Sequence, residues 1–232
     1  MREIKQPNGW KIREILEPTT GRRVNQYFYK HNRAPRIQLE SKLAKQLAGY
    51  TLIEKDLRNV IVWLSEIDEL ISDEKKSSKS IQISPNRETY NIVKGLYVAA
   101  LTFYGKCFTR CEGRRVKLEK NIVSEKYLPT HDDVIHMRHN FAAHSGADSF
   151  EEVKIALVLH PKKRSNMKPE IFRELSQADF KDSSDDEKRF LHLAEHIRDK
   201  VIEKIHLVTD KIYESDIAPK GKEYWYKKAK KG

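Results

Sequence analysis

YNIVKGLYVAALTFYGKCF, residues 90–108, is apolar almost all the way round a helical projection. Ile92, Val93, Leu96, Tyr97, Val98, Leu101, Phe103, Tyr104 and Phe108 leave little of the surface for water, so the stretch predicts a central, largely buried helix. Ser84 followed by Pro85 is its expected start, because a serine caps free N–H groups and proline fits the first helical turn. A helix of this kind is stable only when others cover it, and the flanking sequence supplies them.

Upstream, Leu39, Leu43, Leu47, Tyr50, Leu57, Val60, Ile61, Leu64, Ile67 and Ile71 recur at steps of three and four, an amphipathic helical pattern that runs to about Ser72. Thr51 and Glu54 have capping-box spacing next to Gly49, so this region supplies one or two helices. SDEKKSSKS, 72–80, reads as an exposed loop. Far downstream, Ser184 and Glu187 form a capping box, and Phe190, Ala194, Ile197, Val201, Ile205, Val208 and Ile212 carry a last amphipathic helix to about Glu214. Between these, VKIALVLH (153–160) and EIFREL (170–175) flank PKKRSNMKP and read as two strands of a hairpin.

The charge is uneven. The chain of 232 residues carries +11, of which residues 1–36 hold +6 and residues 215–232 hold +4, leaving about +1 for 37–214. Pro7, Pro18, Pro35, Gly9 and Gly21 interrupt the first segment, which reads as an irregular basic N-terminal arm. The expected organisation is therefore an arm over 1–36, one helical domain over 37–214 and a basic aromatic tail over 215–232. Trp10, Tyr27, Phe28 and Tyr29 at the front, and Tyr224, Trp225 and Tyr226 at the back, lie among these cations. Such segments serve either as phosphate-attracting, base-stacking surfaces or as solubilising tails.

A hydrophobic content of 38%, a charged content of 34% and a mean hydropathy of −0.73 suit a soluble, helix-rich protein. Neither a secretory leader nor an apolar run of spanning length is legible, so a cytoplasmic protein without a membrane partner is expected. Cys107 and Cys111, four apart in an apolar segment, read as reduced core thiols. A Gly-rich phosphate loop, a Cys-x-x-Cys pair and a Gly-x-Ser-x-Gly elbow are all missing from the sequence, and no internal repeat is evident.

The stretch that carries chemistry is PTHDDVIHMRHNFAAHSG, 129–146, with four of the nine histidines. It reads as a short helix with Thr130 as N-cap, Asp132 and Asp133 in the first turn and Ser145-Gly146 as the stop. Val134, Ile135, Met137, Phe141 and Ala142 form its apolar stripe, and Arg138 falls in the middle of that stripe. A guanidinium there is costly unless paired or held for a purpose. His144 stands at the helix end, six residues on. One explanation is a structural ion pair with a histidine favoured by the helix dipole; the other is a site. Asp132, His136 and His139 share a face at metal-ligand spacing, but three ligands on one helix seldom converge, and no metal or cofactor is expected. Arg189 and His196 repeat a similar spacing inside the last helix.

The string MRHNFAAHSG, with TFYGKCFTRCEGRRVKLE before it and a hairpin and long helix after it, resembles the HEPN superfamily, in particular stand-alone bacterial forms linked to abortive infection and toxin–antitoxin pairs. The resemblance covers about 90–215. It implies a mainly α fold: a bundle of four to six helices with a small β-hairpin between the motif helix and the last long helix. It also implies a homodimer with the Arg–His helices facing each other, and a metal-independent ribonuclease, or alternatively a non-catalytic relative that only binds nucleic acid or a partner.

RNA carries its own nucleophile, so cleavage needs a group titrating near neutrality and a cation on the phosphorane-like transition state, which histidine and arginine supply. Arg138 and His144 are thus the expected catalytic residues, with His139 and Asn140 supporting them. Arg114, Arg115 and Lys117 of the basic connection at 110–121 are expected RNA contacts. One histidine per site is thin for both deprotonating the nucleophile and protonating the leaving oxygen, which independently favours a two-fold pairing of sites. RNA, a second copy and a restraining antitoxin or other regulatory protein are the expected partners.

Overall fold

The computed structural model describes residues 2–77, 87–139, 151–162, 166–177, 185 and 188–229, and these are mainly helical. The chain divides into two units: a helical unit, Gln46–His206, and a terminal unit made of Met1–Lys45 with Leu207–Gly232. No helix among the described residues is long and apolar enough to cross a membrane.

Four helices supply the core of the helical unit: α1 (Lys42–Ser77), α2 (Arg87–Phe108), α3 (Leu128–Met137) and α4 (Phe190–Ile212). Ile53, Leu57, Val60, Leu64 and Ile67 from α1 meet Val93, Tyr97, Leu101 and Tyr104 from α2, Val134 from α3, and Leu193, Ile197 and Val201 from α4 in one buried cluster. Burying each aliphatic side chain of this size is worth about 1.5–3 kcal/mol, so the stripes hold the helices together far more than helix propensity does.

Several expectations change. α1 runs unbroken through Gly49, because Thr51 donates its hydroxyl back to the Leu47 carbonyl at 2.9 Å rather than capping a new helix. Its 36 residues also take up Ser72–Ser77, read from sequence as loop. α2 is buried on one side only, with Thr102 exposed and Ile92 46% exposed. α3 starts at Leu128, preceded by Tyr127 and with Pro129 in its first turn, so Thr130 does not cap it. Its hydroxyl instead donates to the Lys188 carbonyl at 2.7 Å. The Ser84-Pro85 start and the Ser184–Glu187 cap lie outside the described residues.

Strands β5 (Glu151–Val158) and β6 (Glu170–Gln177) pair antiparallel, the expected hairpin. Val153, Ile155, Leu157, Ile171 and Leu175 share one of its faces and are all more than half exposed.

Residues 1–36 are not an irregular arm. They form β1 (Arg2–Lys5), β2 (Trp10–Leu16), β3 (Arg23–Tyr29) and β4 (Asn32–Arg33), a four-stranded antiparallel meander in sequence order. The prolines and glycines that interrupt the pattern make its turns: Asn8 and Gly9 between β1 and β2 both have positive φ, as does Gly21 between β2 and β3. The described part of the basic aromatic tail at 215–232 is helical. A π-turn at Tyr213–Ile217 and a 3-10 turn at Ala218–Lys220 lead into α5 (Gly221–Ala229).

The basic connection after α2 is partly interior. Leu118 donates to the Cys107 carbonyl at 2.9 Å and, like Val123, is buried. Arg114 is 5% exposed and lies beside Asp56 of α1, which is 1% exposed. The Arg114 Nη1 sits 3.4 Å from the Asp56 carboxylate, which also meets Lys55 at 2.6 Å and Lys106 at 3.3 Å. Arg114 Nη2 donates to the Lys106 carbonyl. Cys107 is enclosed in α2, where burial pushes its thiol up to about 12, and half-buried Cys111 lies in the connection beyond the helix; both are free thiols.

Removing one side of this cluster strands a buried charge. Arg114→Ala is expected to lower stability by about 3 kcal/mol, at the low end for buried pairs because Lys55 and Lys106 still face Asp56. Urea unfolding checks this, with exposed Arg115→Ala expected to stay within about 0.5 kcal/mol of wild type.

Candidate functional site

The end of α3 and the end of α2 border a cavity of about 260 Å³, whose lining includes Gly105, Lys120, His131, Arg138 and His139. Arg138 is half-buried, and its backbone is still helical, with its N–H bonded to the Val134 and Ile135 carbonyls. The aliphatic stem of Arg138 lies flat against Gly105 of α2. A Cβ at that glycine would fall 3.0 Å from Arg138 Cγ and 3.1 Å from Cδ. Glycine in mid-helix costs about 1 kcal/mol relative to alanine, and here it is the absence of a side chain that lets the arginine pass.

Arg138 has no carboxylate partner among the described residues; its hydrogen bond is to His139, Nη1 to Nδ1 at 3.4 Å. The acids near the cavity are already engaged. Glu119 faces Lys117 at 3.3 Å, and Asp132 holds Lys120 at 2.6 Å. The other Arg–His pair behaves differently: Arg189 is ion-paired with Asp68, and His196 meets the Ser124 hydroxyl at 3.2 Å. Similar spacing thus gives one pair consumed by structural contacts and one guanidinium left turned to a cavity.

His131, which sequence reasoning passed over, is 4% exposed and lines the same cavity. Its Nδ1 is 2.8 Å from the Tyr104 hydroxyl, and it packs edge-on against the Tyr104 and Phe108 rings. Burial raises the pKa of the Tyr104 hydroxyl well above the ordinary value, and the His131 tautomer sets which of the two groups donates in this bond. Burial likewise pushes His131 down from its ordinary value, opposed by Asp132 and aided by Lys120. The signal available in sequence was its position three residues before Val134 on the buried face.

His139 is exposed at the mouth beside Arg138, while Asn140 and His144 lie outside the described residues. Of the expected RNA contacts, Arg115 and Lys117 are exposed. Arg114 is not placed to reach a ligand, because Asp56 and the Lys106 carbonyl enclose its guanidinium. Asp132 and the exposed His136 and His139 do not converge: among the described residues no three His, Cys, Asp or Glu side chains gather as metal ligands.

The arrangement places a guanidinium with no carboxylate partner among the described residues, a buried imidazole and a second imidazole around one small space, which is chemistry for an oxyanion such as a phosphodiester. No protein-family model, curated protein or solved structure matches the chain.

Because His131 is held neutral in the fold and titrates near pH 6.5 when unfolded, the unfolded state binds more protons below that pH. Stability is therefore expected to fall on acidification from pH 7.5 to 5.5, and His131→Gln to flatten part of that fall. Urea midpoints measured across the range for both proteins check the difference.

Proposed function

We propose that the protein is a metal-independent endoribonuclease of HEPN type, in which Arg138 and His144 act across a homodimer interface. The observation that carries this reading is the Arg138 guanidinium, steered past Gly105 to a cavity and ion-paired with no carboxylate among the described residues, the lining Glu119 being engaged by Lys117. A buried-face arginine with this freedom is held for an anion.

In the reaction, the 2′-hydroxyl of RNA loses its proton to an imidazole and its oxygen bonds to the adjacent phosphorus. The bond from phosphorus to the 5′-oxygen then breaks, and that oxygen takes up a proton. The products are a 2′,3′-cyclic phosphate and a 5′-hydroxyl. Arg138 stabilises the charge on the non-bridging oxygens through its forked donors. His144 is assigned the proton transfers, one copy from each protomer, with His139 and Asn140 orienting the phosphate. The His131 imidazole, oriented by its bond to Tyr104, borders the same cavity. The helices of the core would form the bundle that presents two such α3 ends to each other. A restraining partner protein, as in toxin–antitoxin pairs, belongs to the same reading.

Incubating the purified protein with RNA in excess EDTA tests it. Cleavage leaving 2′,3′-cyclic phosphate ends, reduced at least about 100-fold in Arg138→Ala and in His144→Ala, is expected. Absence of cleavage by the wild type, with RNA binding intact, would assign the alternative role of a non-catalytic binding protein. Cleavage only after a divalent metal is added, and lost in His136→Ala, would move the chemistry to the Asp132–His136–His139 face.

Gly105→Ala probes the same arginine without touching it. Its added methyl crowds the Arg138 stem. Cleavage is expected to drop several-fold while the melting temperature holds or rises, since alanine is favoured by about 1 kcal/mol in a helix; an unchanged rate would show that Arg138 placement does not depend on this contact.

A further inference from the structure

The terminal unit has no part in the cavity chemistry, yet it carries nearly all of the excess charge. Its two segments hold 18 Lys and Arg against 8 Asp and Glu, a net +10 out of +11, in less than a third of the chain. Its sheet is also unusually open: none of the described residues from Arg2 to Lys45 is buried. A four-stranded meander with both faces half-exposed has surface to give to a ligand.

The register sorts that surface. Residues directly opposite each other share a face, which puts Lys5, Lys11, Arg13 and Arg33 together with Phe28 on one side, opposed by the single acid Glu3. Arg13 lies over the Phe28 ring at 4.6 Å. Beside this face is a cavity of about 560 Å³ whose lining includes Gln26, Tyr27, Arg33 and Arg36, with one carboxylate, Glu17, which accepts from the Thr20 hydroxyl at 2.6 Å. Arg33 and Arg36 are exposed and have no carboxylate partner among the described residues. At the end of the same hairpin, on the opposite face, Trp10 and Tyr29 pair with ring centroids 5.2 Å apart, and are 42% and 45% exposed.

We propose that the terminal unit is a binding module for single-stranded RNA: Lys5, Arg33 and Arg36 take the phosphate backbone on one face, and Trp10 and Tyr29, at the hairpin end, stack bases where the strand rounds to the other. Free cations attract phosphates without reading sequence, and exposed aromatic rings accept any unpaired base. Gln26, on the face of Arg13 and Arg33 and lining the cavity, offers both a donor and an acceptor to a base there. The choice of RNA rests on the ribonuclease reading above; the charge and the rings argue for the capture of a single strand irrespective of cleavage.

The test uses the full-length protein and a fluorescein-labelled 2′-O-methyl RNA of roughly 16 nucleotides, which lacks the nucleophile and so reports binding alone. Anisotropy titrations from 50 to 300 mM salt are expected to give a steep salt dependence. In Arg33→Glu/Arg36→Glu affinity should fall about tenfold or more, and the log–log slope should shrink by about 1.4 for two lost single-strand contacts. Trp10→Ala should weaken binding about fivefold with little change in slope. Arg58→Ala, on the exposed side of α1 and outside both the Arg138 cavity and this unit, should bind as wild type does.

Unchanged affinity and slope in the double variant, at an unchanged melting temperature, would overturn the proposal. So would equal affinity for the duplex form of the same RNA, or binding to phosphatidylserine vesicles in its place. If the charge-reversed protein melts early, Arg33→Gln/Arg36→Gln decides by the same slope. Because no cleavage is read, failure here leaves the ribonuclease reading standing, and failure of cleavage leaves this one standing.

Discussion

A buried charge fixes the part of the helical unit on which the rest of the site depends. Asp56 is buried on α1, and its carboxylate meets Arg114 and two lysines. The pair draws the connection after α2 back against α1, and with it come the Leu118 N–H to the Cys107 carbonyl and the buried Leu118 side chain. Glu119 and Lys120, which follow immediately, are thereby set on the wall of the cavity that Arg138 enters. A desolvated pair is a poor source of net stability compared with an apolar replacement, but it is demanding about position. Here position is what the cavity needs.

The same logic governs Arg138. A long cationic side chain on the inward side of a helix needs a channel for its stem and room for its head. Gly105 gives the channel, since α2 and α3 approach closely only where one of them lacks a Cβ. The cavity gives the room, and the surrounding acids are engaged by Lys117 and Lys120. The Tyr104–His131 bond holds a buried imidazole in place on the core side. The result is a small positive recess built by packing from within rather than by a cluster of surface lysines.

Charge and core are divided between the two units. The helical unit is close to neutral and holds a cluster of fully buried side chains; the terminal unit is strongly basic and its sheet buries almost nothing. A concentrated positive field raises the local density of a polyanion and depends on salt, whereas a recess acts on one phosphodiester at a time. The two properties are hard to combine on one surface, because cations that attract a strand everywhere do not position it anywhere.

What the sequence determined by itself was periodicity. The three- and four-residue steps of α1, α2 and α4, the two-residue alternation of β5 and β6 and the anomalous Arg138 were all legible, because each is a local pattern of residue type. The β-meander was legible in principle, in the runs WKIREIL and RVNQYFY on either side of a Gly21 turn. It was lost because polar and apolar residues occur on both faces of a sheet that buries neither, so no clean alternation results. Only the tertiary structure decided that Arg114 is interior while Arg115 is not, that Gly105 makes way for Arg138, and that His131 turns to the same cavity. Those facts depend on which distant segments meet, Asp56 with Arg114 and Gly105 with Arg138. A chain read one window at a time does not contain that information.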